Sequence, residues 1–284
     1  MREGRGMGKR SVPIMDWLEN TQEFQERNAG RSTPMQIALQ RIQQCRGKRL
    51  DLSKLGLTEL PPLPADLIML RCDSNELTSL PELPPSLRIF HCHSNQLSSL
   101  PELPPFLESL SCSHNHISCL PSLPSTLTQL VCIRNHLTSL PELPDALEEL
   151  CFDNNYITQL ATLPPHLTSL SCCRNQLTAL PSLPDGLHSL FCFANPLELF
   201  PELPSSLIYI VCTLPHTNER YAPLRLTPEM IHELNRKSQE WTESVSMKRC
   251  MGRCSTYYEE LMHNRWHPDR VDQLSGMGYR LGDI

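Results

Sequence analysis

From Leu50 to Leu214 the chain repeats itself every 20 residues without a slip, and that period constrains its fold more than any other feature. One unit reads Leu67-x-x-Leu70-x-Cys72-x-x-Asn75-x-Leu77-x-x-Leu80-Pro81-x-Leu83-Pro84. Asparagine recurs at Asn75, Asn95, Asn115, Asn135, Asn155, Asn175 and Asn195, and leucine recurs in the same step from Leu67 to Leu207. A unit this short cannot bury its own apolar side chains. Neighbouring units must stack and share one continuous core.

The columns predict the shape of each coil. Residues 70 and 72 point inward from a short strand and residue 71 points outward, because side chains alternate along a strand. The asparagine amide carries both donors and an acceptor, so it can satisfy backbone groups where the chain leaves the strand. Proline lacks an N–H and fixes φ, so the Leu-Pro half is no helix interior and crosses the convex side as extended backbone. The pattern L-x-x-L-x-L-x-x-N-x-L is that of leucine-rich repeats. The predicted fold is an α/β leucine-rich-repeat solenoid of about eight 20-residue coils, with a parallel concave sheet and helical caps at both ends. The pattern degrades at its ends: Leu52 and Leu55 stand where later coils carry Cys and Asn, and Pro215 stands in the last Asn position. Within the array, Ala161 replaces a Pro and Phe152 replaces a Cys.

The flanks divide the rest. Residues 1–10 are a basic, flexible start, and residues 11–47 form a helical cap. In that cap Thr33-Pro34-Met35-Gln36 is a capping-box start with proline at the first helical position, and Met35, Ala38, Ile42 and Cys45 share one helical face. The solenoid spans 48–214. Residues 215–284 form a helical C-terminal cap or docking module, opened by Thr227-Pro228-Glu229.

The 26 prolines and 11 glycines are accounted for by the repeat rather than by collagen-like or linker sequence. No signal-peptide core and no membrane-length apolar run is evident, and the 13 cysteines do not make a short secreted scaffold. The expectation is a soluble cytoplasmic monomer with reduced thiols. Cys72, Cys92, Cys112, Cys132, Cys172, Cys192 and Cys212 fill one inward column, and equivalent side chains on parallel coils point the same way rather than at one another. They are expected to pack, not to pair. Cys250, Cys254, His263 and His267 have zinc-like pair spacings, but on one helix the pairs would lie more than about 10 Å apart along the axis. Cys250, Cys254, Tyr257 and Leu261 also make an ordinary apolar face, so no metal or cofactor is assigned. No nucleophile motif, phosphate loop or dinucleotide fingerprint is present, and the chain is not expected to be an enzyme.

Charge bears on partners. Between Leu50 and Leu214 there are 5 Lys+Arg and 16 Asp+Glu, a balance of −11, so the flanks carry +5 of the total of −6. An acidic solenoid repels phosphates, which argues against nucleic acid at the repeats.

The units "LTSLPELPPSL" and "LDLSKLGLTELPPLP", together with the flanking "MQIALQRIQQC", resemble the LPX-type leucine-rich-repeat effectors of pathogenic bacteria, the YopM and IpaH kinds, over residues 33–214. The resemblance implies a module that binds a host protein through its repeats in the host cytosol. The IpaH kind adds a C-terminal ubiquitin-ligase domain with a Cys-x-Asp nucleophile. With only about 70 residues after the repeats, the chain is expected to lack the Cys-x-Asp motif, so that activity is not carried over. The tail "YYEELMHNRWHPDRVDQLSGMGY" is instead similar to tails of repeat proteins of large DNA viruses.

The expected function is protein recognition by the concave sheet, with no membrane. The alternatives are a substrate adaptor for a ubiquitin ligase acting through the tail, and a zinc-dependent or other enzyme seated there. Outward strand positions nominate the contact residues: Arg71, His91 and His93 as polar contacts, Val131 and Ile133 at the centre, and Phe191, Phe193 and Tyr209 as an aromatic anchor. The tail could alternatively cover that aromatic end through Leu234 and Trp241.

Overall fold

In the computed structural model the described residues are 33–45, 48–197, 201–212, 224–225 and 231–232. The first element is the helix α1, Pro34–Gln44. Its capping box forms as the sequence predicts: the Gln36 N–H donates to Thr33 Oγ1 at 3.3 Å and the Thr33 N–H donates to Gln36 Oε1 at 2.8 Å. Ala38 and Ile42 are buried against the first coils, with Met35 and Cys45 packed beside them. The earlier cap residues and the Cys250–His267 quartet lie outside the described residues, and of the helices predicted beyond Thr227 only Ile231 and His232 are described, both helical, with Ile231 buried in the main core.

Nine short strands follow, one per coil: β1 (Arg49–Asp51), β2 (Met69–Arg71), β3 (Ile89–His91), β4 (Ser109–Ser111), β5 (Gln129–Val131), β6 (Glu149–Cys151), β7 (Ser169–Ser171), β8 (Ser189–Phe191) and β9 (Tyr209–Val211). Each pairs in parallel with the next at an offset of 20 residues, as in Leu110↔Leu130 and Leu130↔Leu150. The sheet does not end at β9. A two-residue strand β10 (Leu224–Arg225) lies antiparallel to it, pairing Leu224 with Ile210 and Arg225 with Tyr209. Nothing in the sequence announces β10, because two residues show no alternation.

The inward columns build one core. Leu67, Leu70, Cys72 and Leu77, and their equivalents in the following coils, are essentially sealed from solvent. Phe152 occupies a cysteine position at 0% exposure. Stacking supplies the burial that no single coil could, at about 25 cal/mol for each Å² of apolar surface removed from water.

The asparagine column holds the coils in register. The Asn135 side chain accepts from the Ile117 N–H at 3.1 Å, and its amide donates to Cys112 O at 3.1 Å in the preceding coil and to Cys132 O at 3.2 Å in its own. The same bonds recur from Asn75 to Asn195. A buried amide without such partners would cost a few kcal/mol, at roughly 1–3 for each unmet group. The residue before each asparagine, and Lys54 before Leu55 in the first coil, is left-handed without being glycine: Lys54, Ser74, Ser94, His114, Arg134, Asn154, Arg174 and Ala194 have φ between 52° and 58°. That conformation costs roughly 1–2 kcal/mol per residue. It is offset because these N–H groups extend the inter-coil ladder past the strands, as in Arg134 N to Asp153 O at 2.8 Å.

The proline-rich half returns as extended backbone, as predicted, but closes with a turn in which Leu87 N donates to Pro84 O at 3.1 Å, repeated at Leu107, Leu127 and onward. The cysteines of the ladder are free and buried. Two thiols donate along the stack, Cys72 to His91 O at 3.6 Å and Cys132 to Cys151 O at 3.5 Å. Burial pushes the ladder thiols up, Cys112 and Cys212 to about 12. The thiolate is the reactive form, so the column packs rather than reacts.

Candidate protein-binding face

Alternation places all eight nominated residues on the concave side, at strand positions or just after them. Arg71 and His91 are register neighbours, and so are Phe191 and Val211. Accessibility then divides them. Val131 and Ile133 are half-buried, as are Ser109, Ser111 and Gln129 around them. Arg71 and Tyr209 are also half-buried, at opposite ends of the sheet. His91 and His93 are buried at 3% and 4% exposure, and Phe191 and Phe193 at 2% and 7%. The two rings join Cys173 and Val211 in a small apolar cluster separate from the main core. As placed, Phe191 and Phe193 offer almost no surface to a partner. Whether the tail covers them lies outside the described residues.

Electrostatics differ along the face. At the N-terminal end Arg71 reaches Asp73 at 3.4 Å and Asp51 at 3.8 Å. Two hydrogen bonds from Ser53 do most to hold the Asp51 carboxyl below its usual range, against partial burial, with Arg71 and Arg41 adding to them. His93 Nε2 lies 3.8 Å from Asp73.

A network that sequence reading missed sits on β6 and β7. Asp153 accepts from the Ser171 hydroxyl at 2.8 and 2.9 Å and from the Cys173 N–H at 2.7 Å. Burial pushes its carboxyl up to about 7 despite those bonds. Contrary to the expectation that the chain lacks a Cys-x-Asp, Cys151-Phe152-Asp153 is one, within the repeats: alternation sends Phe152 into the core and both flanking residues to the concave face. Cys151 is 1% exposed and its thiol is raised well above its usual value, by burial first and by Asp153 second. A hidden, protonated thiol is a poor nucleophile. The signal for the network was present in the sequence as residues two apart on one strand and about 20 apart between coils.

The described residues contain no group of three or more His, Cys, Asp or Glu side chains placed to hold a metal, and no helix among them is long and apolar enough to cross a membrane. This curved stack of 20-residue coils is shared by solved structures. The chain is 34% identical to the leucine-rich-repeat domain of a Shigella effector, covering 65% of this chain and 86% of that one, with a TM-score of 0.58. It belongs to the leucine-rich-repeat effector family. The leucine-rich effector YopM from Yersinia pestis is 30% identical over 72% of this chain and 69% of its own length, with a TM-score of 0.60. YopM from Yersinia enterocolitica is 30% identical over 77% of this repeat protein and 58% of its own length, with a TM-score of 0.55. No protein-family model and no curated protein sequence matches the chain.

Proposed function

We propose that this repeat protein is a recognition module that binds a partner protein through its concave sheet and performs no catalysis of its own. The observation that carries this reading is the half-exposed pair Val131 and Ile133, an apolar centre on β5 and just beyond it, ringed by the half-exposed polar residues Ser109, Ser111 and Gln129. An apolar centre with a polar rim is the anatomy of protein interfaces. Arg71 supplies a charged contact at one end and Tyr209 an amphipathic one at the other. His91, His93, Phe191 and Phe193 form the floor of the site, where their burial fixes the surface that the partner meets.

The solved relatives include effectors of Shigella and Yersinia. By that kinship the partner is a host protein and the place of action is the host cytosol, with the chain working as a monomer. The acidic balance of the repeats disfavours nucleic acid on the sheet.

The test is affinity capture from host cytosol with the native chain and with Val131→Glu/Ile133→Glu. A charge pair at the apolar centre should abolish capture of the specific partner while the thermal midpoint stays within a few degrees. An unchanged set of captured proteins would overturn the concave-face reading.

A further inference from the structure

Three of the five cations of the repeats, Lys54, Arg134 and Arg174, stand in the left-handed column that follows the strands. This column and the next exposed positions form one edge of the solenoid. From Ser94 to Ala179 the positions on that edge carry Arg134, Arg174, His114, His116 and His136, and not one Asp or Glu. The carboxylates of the same coils lie elsewhere: Glu102, Glu142 and Asp145 in the proline-rich return, Glu108 and Glu148 just ahead of the strands, Glu149 and Asp153 on the concave face. On the opposite edge the cation Arg88 is already paired with Glu108.

The edge also carries an exposed run of rings. His116 and His136 stack with centroids 5.5 Å apart and 25° between planes, and His136 meets Tyr156 at 6.1 Å and 33°. Tyr156 is 50% exposed. Beside them Arg134 is exposed, and Arg174 is held by Asn154 at 3.4 Å and lies 5.7 Å over the Phe193 ring. The left-handed backbone at His114, Arg134 and Arg174 is fixed by the inter-coil ladder, so the row is rigid before any ligand arrives.

We infer that this edge is a second docking surface, which takes an acidic, proline-containing extended segment of a partner protein. Charge complementarity selects the acidic side chains, which pair with Arg134 and Arg174. Spacing selects the backbone: coils sit about 4.8 Å apart, so the two arginines are roughly 10 Å apart. A polyproline-type strand advances about 9 Å in three residues and returns to the same face. Carboxylates three residues apart therefore meet both arginines, while intervening prolines pack along the exposed side of the ring column His116, His136 and Tyr156. This surface is distinct from the concave sheet, and either one can fail without the other.

The test is fluorescence polarisation on the full chain, with a labelled synthetic peptide of glutamates at every third position separated by prolines. The expected result is saturable binding that weakens with salt and exceeds that of the lysine counterpart. Arg134→Gln/Arg174→Gln should weaken it by about tenfold or more, since charged pairs at interfaces carry that much. Tyr156→Ser should weaken it several-fold. Arg88→Gln on the opposite edge and the uncharged pair Val131→Ser/Ile133→Ser on the sheet should leave it unchanged, which separates this surface from the concave site. All substituted side chains on the edge are exposed, and thermal melting confirms that the fold is kept. Equal binding of the lysine peptide, indifference to the arginine pair, or equally effective competition by a single-stranded oligonucleotide would each overturn the inference.

Discussion

The central coils and the later coils of this sheet have the same backbone, the same period and the same inward leucines, yet their concave faces have opposite fates. On β4 and β5 the outward residues Ser109, Ser111, Gln129 and Val131 are half-buried. On β6, β7 and β8 every strand residue is buried, down to the 1% exposure of Ser171 and the 2% of Phe191. One stretch of a uniform repeat is therefore left half-open to solvent while the next is used for internal packing and a buried carboxylate network. A repeat sets which way a side chain points, and it does not set whether anything is packed over it.

The strongest way to break that contrast is to remove a ring from the closed region. Phe191→Ala should cost about 4 kcal/mol, through lost burial and the cavity left behind. Chemical denaturation measures it, and a loss below about 1 kcal/mol would mean that the ring is not packed at all.

The buried carboxyl sharpens the same contrast through pH. Burial raises the Asp153 carboxyl from its ordinary value of 3.8 to about 7 in the folded state. Its contribution is therefore fully present below about pH 4 and is lost as pH rises through 7. At about 1.4 kcal/mol per unit the full swing is of the order of 4 kcal/mol, on top of whatever other groups contribute. Asp153→Asn keeps the one oxygen, Oδ1, that both Ser171 and Cys173 reach, so it should flatten this part of the stability profile and raise the denaturation midpoint at pH 8. An unchanged pH profile in the variant would assign the slope to other groups.

The inward columns should not distinguish the two regions. Leu130→Ala in the open part and Leu190→Ala in the closed part should each cost about 3 kcal/mol, because both are fully buried. Unequal losses would place the contrast in the core rather than on the face. On the outward face of the open part, Val131→Ala should cost less than about 1 kcal/mol, since the side chain is only half-buried. The smallest effect is expected from mild reductant. The described cysteines are free, so the midpoint should not move.

Much of this was legible in the residues. Asn135 could be assigned to backbone satisfaction and Cys132 to packing because each is surrounded by its own equivalents one coil away, and the period supplies those neighbours. The Thr33–Gln36 box is local by nature and formed as read. The candidate face was legible only in orientation. Phe191 and Val131 occupy the same outward column, and sequence reading treated the ring as the anchor because exposed aromatics dominate interfaces. The structure buries the ring and leaves the valine half-open. The Asp153 network and the ring stack on the edge were missed for a related reason: each joins different residue types across coils, so neither appears as a column of one letter.

The sequence by itself determined the period, the parallel register, the inward leucine and cysteine columns, the asparagine ladder and the capped helix. These depend on contacts that recur at i ± 20 or within one helical turn, so identical local choices add up to one global answer. Only the tertiary structure decided which outward side chains are reachable, that an antiparallel β10 extends the sheet past β9, and that one edge gathers cations and rings while carboxylates lie elsewhere. Those outcomes depend on contacts between unlike residues of different coils or elements, and a periodic sequence carries no mark of such neighbours.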